Sequence, residues 1–147
     1  MTTHVMPRDL VAECPRPTPT LQTRIGRTYR FESAHHLPLL PEGHKCKNIH
    51  GHNYRIDVVV HGTLDGRGFV KDFAELDAEI VPLIKTLDHR LLNEVEGLEN
   101  PTAEIIAGWL FQRIAECESV RVYENEDSWA EVIGERRSSD SPAETAA

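Results

Sequence analysis

His50 and His52 flank a glycine at the head of a β-branched run that alternates in polarity from His52 to His61. Strict alternation is the pattern of a half-buried strand, and residues two apart on an extended chain project from the same side. The two imidazoles therefore share a face and can hold one ion between them. His35 closes an earlier alternating run, Arg24 to His35, and is the best-placed third ligand. Zinc takes imidazole nitrogen at about 2.0–2.1 Å, and catalytic sites supply three protein ligands and leave one position open. His35, His50 and His52 would make such a site. Cys46, four residues before His50, leaves an alternative, because a thiolate as fourth ligand would close the shell and make it structural. The window from Phe31 to Tyr54 holds five of the eight histidines, which is denser than scattered surface histidines produce.

The rest of the chain supplies a small two-layer fold. Leu39 to Ile49, with Pro41 and Gly43, reads as a loop carrying Cys46, and Gly62 to Gly68 as a turn. Asp72 and Glu75 have the spacing of a capping box. After them Phe73, Leu76, Ile80, Leu83, Ile84 and Leu87 recur at helical spacing. Pro82 falls inside that stripe and predicts a kink or an unbonded turn near Ala78. Asn100-Pro101-Thr102 starts a second helix, with Asn100 or Thr102 as the cap. Ile105, Ile106, Trp109, Leu110 and Ile114 form its apolar face, and the helix is expected to end near Glu116. Val120–Glu124 and Trp129–Ile133 alternate as a closing hairpin. The order ββααββ reads as α+β, with two helices on one face of a four-stranded antiparallel sheet over residues 23–133. The ends, 1–22 with four prolines and 134–147 with small polar residues, read as disordered tails.

Composition narrows the partners. The net charge of −8 and the lack of basic runs argue against nucleic acid and anionic membranes. Lys45, Lys47, Arg55 and Lys71 could still serve an anionic small molecule, although each is more simply a solvated charge. No apolar run approaches a membrane span and no secretion signal is visible, so a cytoplasmic protein is expected. Asp88 and His89 adjoin at the exit of the first helix, where a carboxylate beside an imidazole can form a proton-transfer pair. Glu124 ends a strand, as a rim charge or a ligand anchor.

Taken together, Phe31-Glu-x-Ala34-His35, Gly43-His-Lys-Cys46-x3-His50-Gly-His52, Asp72-Phe-x-Glu-Leu76, Leu87-Asp-His89, Glu99-Asn-Pro-Thr-x-Glu104 and Val120-x-Val-Tyr-Glu124 resemble the 6-pyruvoyl-tetrahydropterin synthase superfamily. The likeness is greatest to the 6-carboxy-tetrahydropterin synthases of the queuosine pathway, whose short Cys-to-His gap it shares. The resemblance implies the tunnelling fold (T-fold), assembled as a homohexamer from two trimers with active sites between subunits. It also implies a lyase holding zinc on His35, His50 and His52, with Cys46 as catalytic thiol, Asp88 and His89 as proton relay, and Glu124 anchoring the pterin ring. Glu104 and Thr102, opening the second helix, are further candidates for the pterin pocket. The implied reaction converts 7,8-dihydroneopterin triphosphate to 6-carboxy-5,6,7,8-tetrahydropterin, acetaldehyde and triphosphate. A 6-pyruvoyl-tetrahydropterin synthase or related pterin enzyme, and a structural zinc module closed by Cys46, are the alternatives.

Overall fold

The computed structural model describes residues 22–135. The expected disordered tails lie outside those residues apart from Gln22, Gly134 and Glu135. Strands β1 (Thr23–His35) and β2 (His50–Gly62) pair antiparallel over their whole length, from Thr23 opposite Gly62 to His35 opposite His50. Strands β3 (Cys117–Tyr123) and β4 (Trp129–Ile133) follow, and the sheet order β1-β2-β3-β4 is the order in the chain. All three pairings are antiparallel.

Helices α1 (Phe73–Leu87) and α2 (Ala103–Phe111) cover one face of this sheet. Ile56, Val58 and Val60 of β2 and Val120 and Val122 of β3 are fully buried there, against Leu76, Ile80, Leu87, Ile106 and Leu110 of the helices. The α+β architecture expected from the ββααββ order is therefore present. Leu76 and Ile80, one helical turn apart, are both completely enclosed, and truncating either to alanine costs about 2–5 kcal/mol.

Several local expectations change. Helix α1 runs through Pro82 without interruption; its start is capped by the Asp72 carboxylate, which accepts from the Ala74 N–H at 2.7 Å. Proline removes one backbone donor, but the turn below it is tied by the Thr86 hydroxyl donating to the Pro82 carbonyl at 3.1 Å. Phe73 is 48% exposed because the buried stripe is Leu76, Ile80, Ile84 and Leu87, one turn further on. Helix α2 stops at Phe111, well before Glu116, and the chain turns back through Glu116 at φ 55°. Ile114 reaches the core from this turn rather than from the helix. Ile105 points outward, since the inward set 103, 106, 107 and 110 leaves it on the far side. Of the two caps considered, Thr102 is the one used, accepting from the Ile105 N–H at 3.3 Å.

Two features place the chemistry. Strand β3 meets β2 only as far as Tyr123 opposite Arg55, so β1 and β2 project beyond it as a two-stranded ribbon carrying His35, His50 and His52. The segment after α1 then lies along the free edge of that ribbon. His89 N–H donates to the Glu32 carbonyl at 2.7 Å, Ala34 N–H to the Arg90 carbonyl at 3.0 Å, and Ala34 and Leu91 form a parallel bridge. Asn93 fastens the same region, accepting from the His36 N–H at 3.0 Å and donating to the His36 carbonyl at 2.8 Å. Among the described residues no helix is long and apolar enough to cross a membrane.

Candidate active site

The three histidines converge as the strand periodicity requires. One ligand atom from each of His35, His50 and His52 lies within 4.8 Å of the other two. Fully buried His35 donates from Nδ1 to the Pro101 carbonyl at 2.8 Å, and His50 from Nδ1 to the Asn48 carbonyl at 2.8 Å. With those protons on Nδ1, each ring turns a bare Nε2 toward the other, and the two nitrogens are 3.0 Å apart. Lone pairs facing each other at that distance repel unless a cation lies between them, and tetrahedral ligands at about 2.0–2.1 Å from a metal stand roughly 3.3–3.4 Å from one another. His52 Nε2 is buried and has no hydrogen-bond partner among the described residues. The donor set fits a divalent metal, and the Pro101 and Asn48 carbonyls are the outer hydrogen bonds that orient such ligands.

Burial also favours the ligating form of His35 and His52. Desolvation lowers the basicity of His35 and His52, against which the Glu124 carboxylate pulls both upward. Beneath them, Tyr54 is buried and stacks on Phe31 with ring centres 4.8 Å apart. Burial, and to a lesser degree Glu124, raises the Tyr54 phenol so that it stays protonated.

Asp88, His89 and Glu124 meet His52 in one notch of about 820 Å³. Asp88 Oδ1 accepts from the Glu32 N–H at 3.0 Å and contacts His89 Nδ1 at 2.9 Å. The backbone N–H of Glu32 holds the Asp88 carboxyl below its usual range, with His89 adding to the effect. His89 sits at φ 54°, a left-handed conformation that a non-glycine residue adopts at a cost of about 1–2 kcal/mol. Its N–H bond to Glu32 is what that conformation secures. Glu124 follows the last residue of β3 and its N–H donates to the Ser128 carbonyl at 3.1 Å, which fixes the Asn125–Ser128 turn at the rim.

The remaining candidates are placed as follows. Cys46 lies in the single turn Lys45–Lys47, its N–H bonded to His44 Nδ1 at 3.1 Å and its carbonyl to the Leu37 N–H at 2.8 Å. That loop packs back on the exit of β1, but the thiol is outside the three-histidine group and does not line the notch. Thr102 spends its hydroxyl on the α2 cap, Glu104 is exposed on the first turn of that helix, and neither lines the notch. Sequence reasoning missed Arg30, Asn53 and Tyr123, which do line it. Their signal lay in strand parity: Arg30 and Asn53 alternate with the buried positions, so they had to occupy the open face.

Residues 24–135 match the family model described as 6-pyruvoyl tetrahydropterin synthase, which is more than half of the chain. The chain belongs to the 6-pyruvoyl tetrahydropterin synthase family. An Archaeoglobus fulgidus protein named putative 6-carboxy-5,6,7,8-tetrahydropterin synthase is 40% identical, over 74% of this chain and 93% of its own length. A Synechocystis protein named 6-carboxy-5,6,7,8-tetrahydropterin synthase is 43% identical over 63% of this chain and 75% of its own. A Pyrococcus furiosus relative, named dihydroneopterin monophosphate aldolase, is 35% identical over 64% and 76%. The solved structure of Caenorhabditis elegans 6-pyruvoyl tetrahydropterin synthase superposes with a TM-score of 0.71 at 27% identity, covering 78% of this chain and 97% of that one. The family's T-fold is thus the architecture described above, and the family is one of metal-dependent pterin enzymes into which the histidine triad fits.

Proposed function

We propose that this member of the 6-pyruvoyl tetrahydropterin synthase family is a zinc-dependent lyase. It converts 7,8-dihydroneopterin triphosphate to 6-carboxy-5,6,7,8-tetrahydropterin with release of acetaldehyde and triphosphate, on the route to queuosine. The observation that carries this reading is the meeting of His52, the Asp88-His89 pair and Glu124 in one notch beside three converging imidazoles. A structural zinc module would need neither the Asp88-His89 pair nor Glu124. The Synechocystis relative named 6-carboxy-5,6,7,8-tetrahydropterin synthase, and the Archaeoglobus fulgidus one named putative 6-carboxy-5,6,7,8-tetrahydropterin synthase, support the same assignment.

Zinc on His35, His50 and His52 would supply a Lewis acid for the side-chain oxygens of the substrate. Glu124, as a carboxylate, accepts N–H bonds from the planar ring and fixes its orientation. Cys46 acts as the thiolate base, brought in from its loop. His89, with Nδ1 held by Asp88, moves the second proton at Nε2, a contribution typically worth 10²–10⁴-fold. Asp88 remains ionised through this because the Glu32 N–H stabilises its charge.

Assembly follows from the edges. Among the described residues the outer edge of β1 from Thr23 to Arg30 and that of β4 are free of strand partners, and Trp129 and Ile133 on β4 are 51% and 67% exposed. Edge pairing between copies, as in a homohexamer of two trimers, would cover them. The aldolase name of the Pyrococcus furiosus relative favours, as a second reading, another pterin ester handled by the same residues. Product analysis with purified zinc-loaded protein decides: acetaldehyde with a 6-carboxy pterin upholds the first reading, and a product keeping its three-carbon side chain overturns it.

A further inference from the structure

Arg30 and Arg55 stand directly opposite each other on β1 and β2. Opposed residues of an antiparallel pair project from the same face, and like charges so placed repel. Both side chains line the notch that holds His52, Asp88, His89 and Glu124. Arg24, Arg27, Arg55, Arg67 and Arg121 each meet a carboxylate at 2.7–3.2 Å, whereas Arg90 and Arg113 meet none among the described residues. Arg30 meets none among the described residues. Arg55 is held rigidly, stacked 3.7 Å from the centre of the Tyr123 ring with one nitrogen 3.2 Å from Asp57, and its Nε has no partner among the described residues.

Arg30 thus brings to a pocket whose wall also carries Glu32, Asp88, Glu124 and Glu126 a guanidinium that meets no carboxylate among the described residues, and Arg55 adds a buried Nε without a partner there. We propose that Arg30 and Arg55 form the subsite for the phosphorylated tail of the substrate, a proposal that rests on the pterin-ester reading above. Arg30 and Arg55 are three rungs along the ladder from Ser33 and His52, roughly 10 Å at the rise of an extended strand. That separation lets one ligand reach from the histidine end to the arginine end. The imidazoles face the helix side and the arginines the open side. Because β3 stops at Tyr123, the notch takes in residues from both faces of the projecting ribbon. Glu32, on the same face as Arg30, keeps the anionic tail away from the Asp88-His89 end. The planar guanidinium fork suits phosphate oxygens better than a lysine does.

The test is calorimetric titration of inorganic tripolyphosphate, and of unphosphorylated 7,8-dihydroneopterin, into the full zinc-loaded chain, its R30Q variant and its R30K variant. Arg30 is exposed and, among the described residues, its side chain makes no hydrogen bond or ion pair that Gln would break, so R30Q should fold. Tripolyphosphate affinity is expected to drop roughly tenfold to a hundredfold in R30Q, the loss of one charge-assisted contact, and less in R30K. Dihydroneopterin affinity should hold within about twofold. Tripolyphosphate binding unchanged in R30Q, or both ligands weakened alike, overturns the subsite. Failure of the wild-type protein to form any pterin product would instead overturn the assigned reaction, while an Arg30-dependent tripolyphosphate site would stand.

Discussion

His52 gives the most direct test of the metal site, because its Nε2 is buried without a partner among the described residues and should impose opposite effects in two states of the same protein. An unsatisfied buried polar atom costs about 1–3 kcal/mol. In metal-free protein, His52→Leu removes that atom and adds apolar volume beside the Tyr54 and His35 rings, 5.5 and 5.0 Å away centre to centre. For a chain of this size 1 kcal/mol moves Tm by about 4 °C, so the variant should melt roughly 4–12 °C above wild type in chelator. Zinc at a hundred times its dissociation constant stabilises a protein that binds it only when folded by about 2.7 kcal/mol, roughly 10 °C here. Wild type should gain that increment and His52→Leu almost none of it, so that the ranking narrows or reverses. Differential scanning calorimetry of both proteins with chelator and with zinc measures all four values. A variant that melts below wild type in chelator, or that gains as much from zinc, would refute the argument.

Acid should weaken the metal-free fold in a defined window. His35 and His52 have basicities lowered by burial, so below the unfolded value of about 6.5 the unfolded chain takes up protons that the folded one refuses. Urea midpoints should therefore be level above pH 7 and fall between about 6.5 and 5.5; a midpoint that rises on acidification contradicts this. Asp88→Asn should retain its bond from Glu32 yet lower turnover by roughly 10²–10⁴, and Cys46→Ala should abolish turnover, both at full zinc content by elemental analysis. Zinc lost from Cys46→Ala would point to a closed structural site. The Cys117 thiol is pushed up to about 12 by burial, with Glu79 and Glu118 adding, so at pH 8 peptide mapping should find it alkylated on the order of 10³ more slowly than an ordinary thiol.

The architecture could be read from the chain because its signals are local. Alternation marked β1 through β4, and the Asp72 and Thr102 caps lay where side-chain chemistry puts them. Local reading failed where tertiary contacts decide. Pro82 stays helical because Leu76, Ile80, Ile84 and Leu87 are buried on both sides of it, and α2 ends early as the chain turns to reach β3. The histidine triad was readable because two ligands share one strand. Asp88-His89 could be noticed as a pair, but its approach to Glu32 depends on hydrogen bonds between positions 56 or 57 apart, such as Ala34 with Arg90 and His36 with Asn93. Strand parity gives the face of Arg30, but only the β1–β2 register sets it against Arg55.

The projecting β1–β2 ribbon separates folding from chemistry. The fully enclosed aliphatic side chains of the sheet belong to Ile56, Val58, Val60, Val120 and Val122, all within the four-stranded part, whereas residues 36–49 hang from the far end and contribute none. Lengthening or rewriting that loop, Cys46 included, would leave the packed layers untouched. A scaffold built this way can trial new reactivities at its tip while its melting point stays almost fixed.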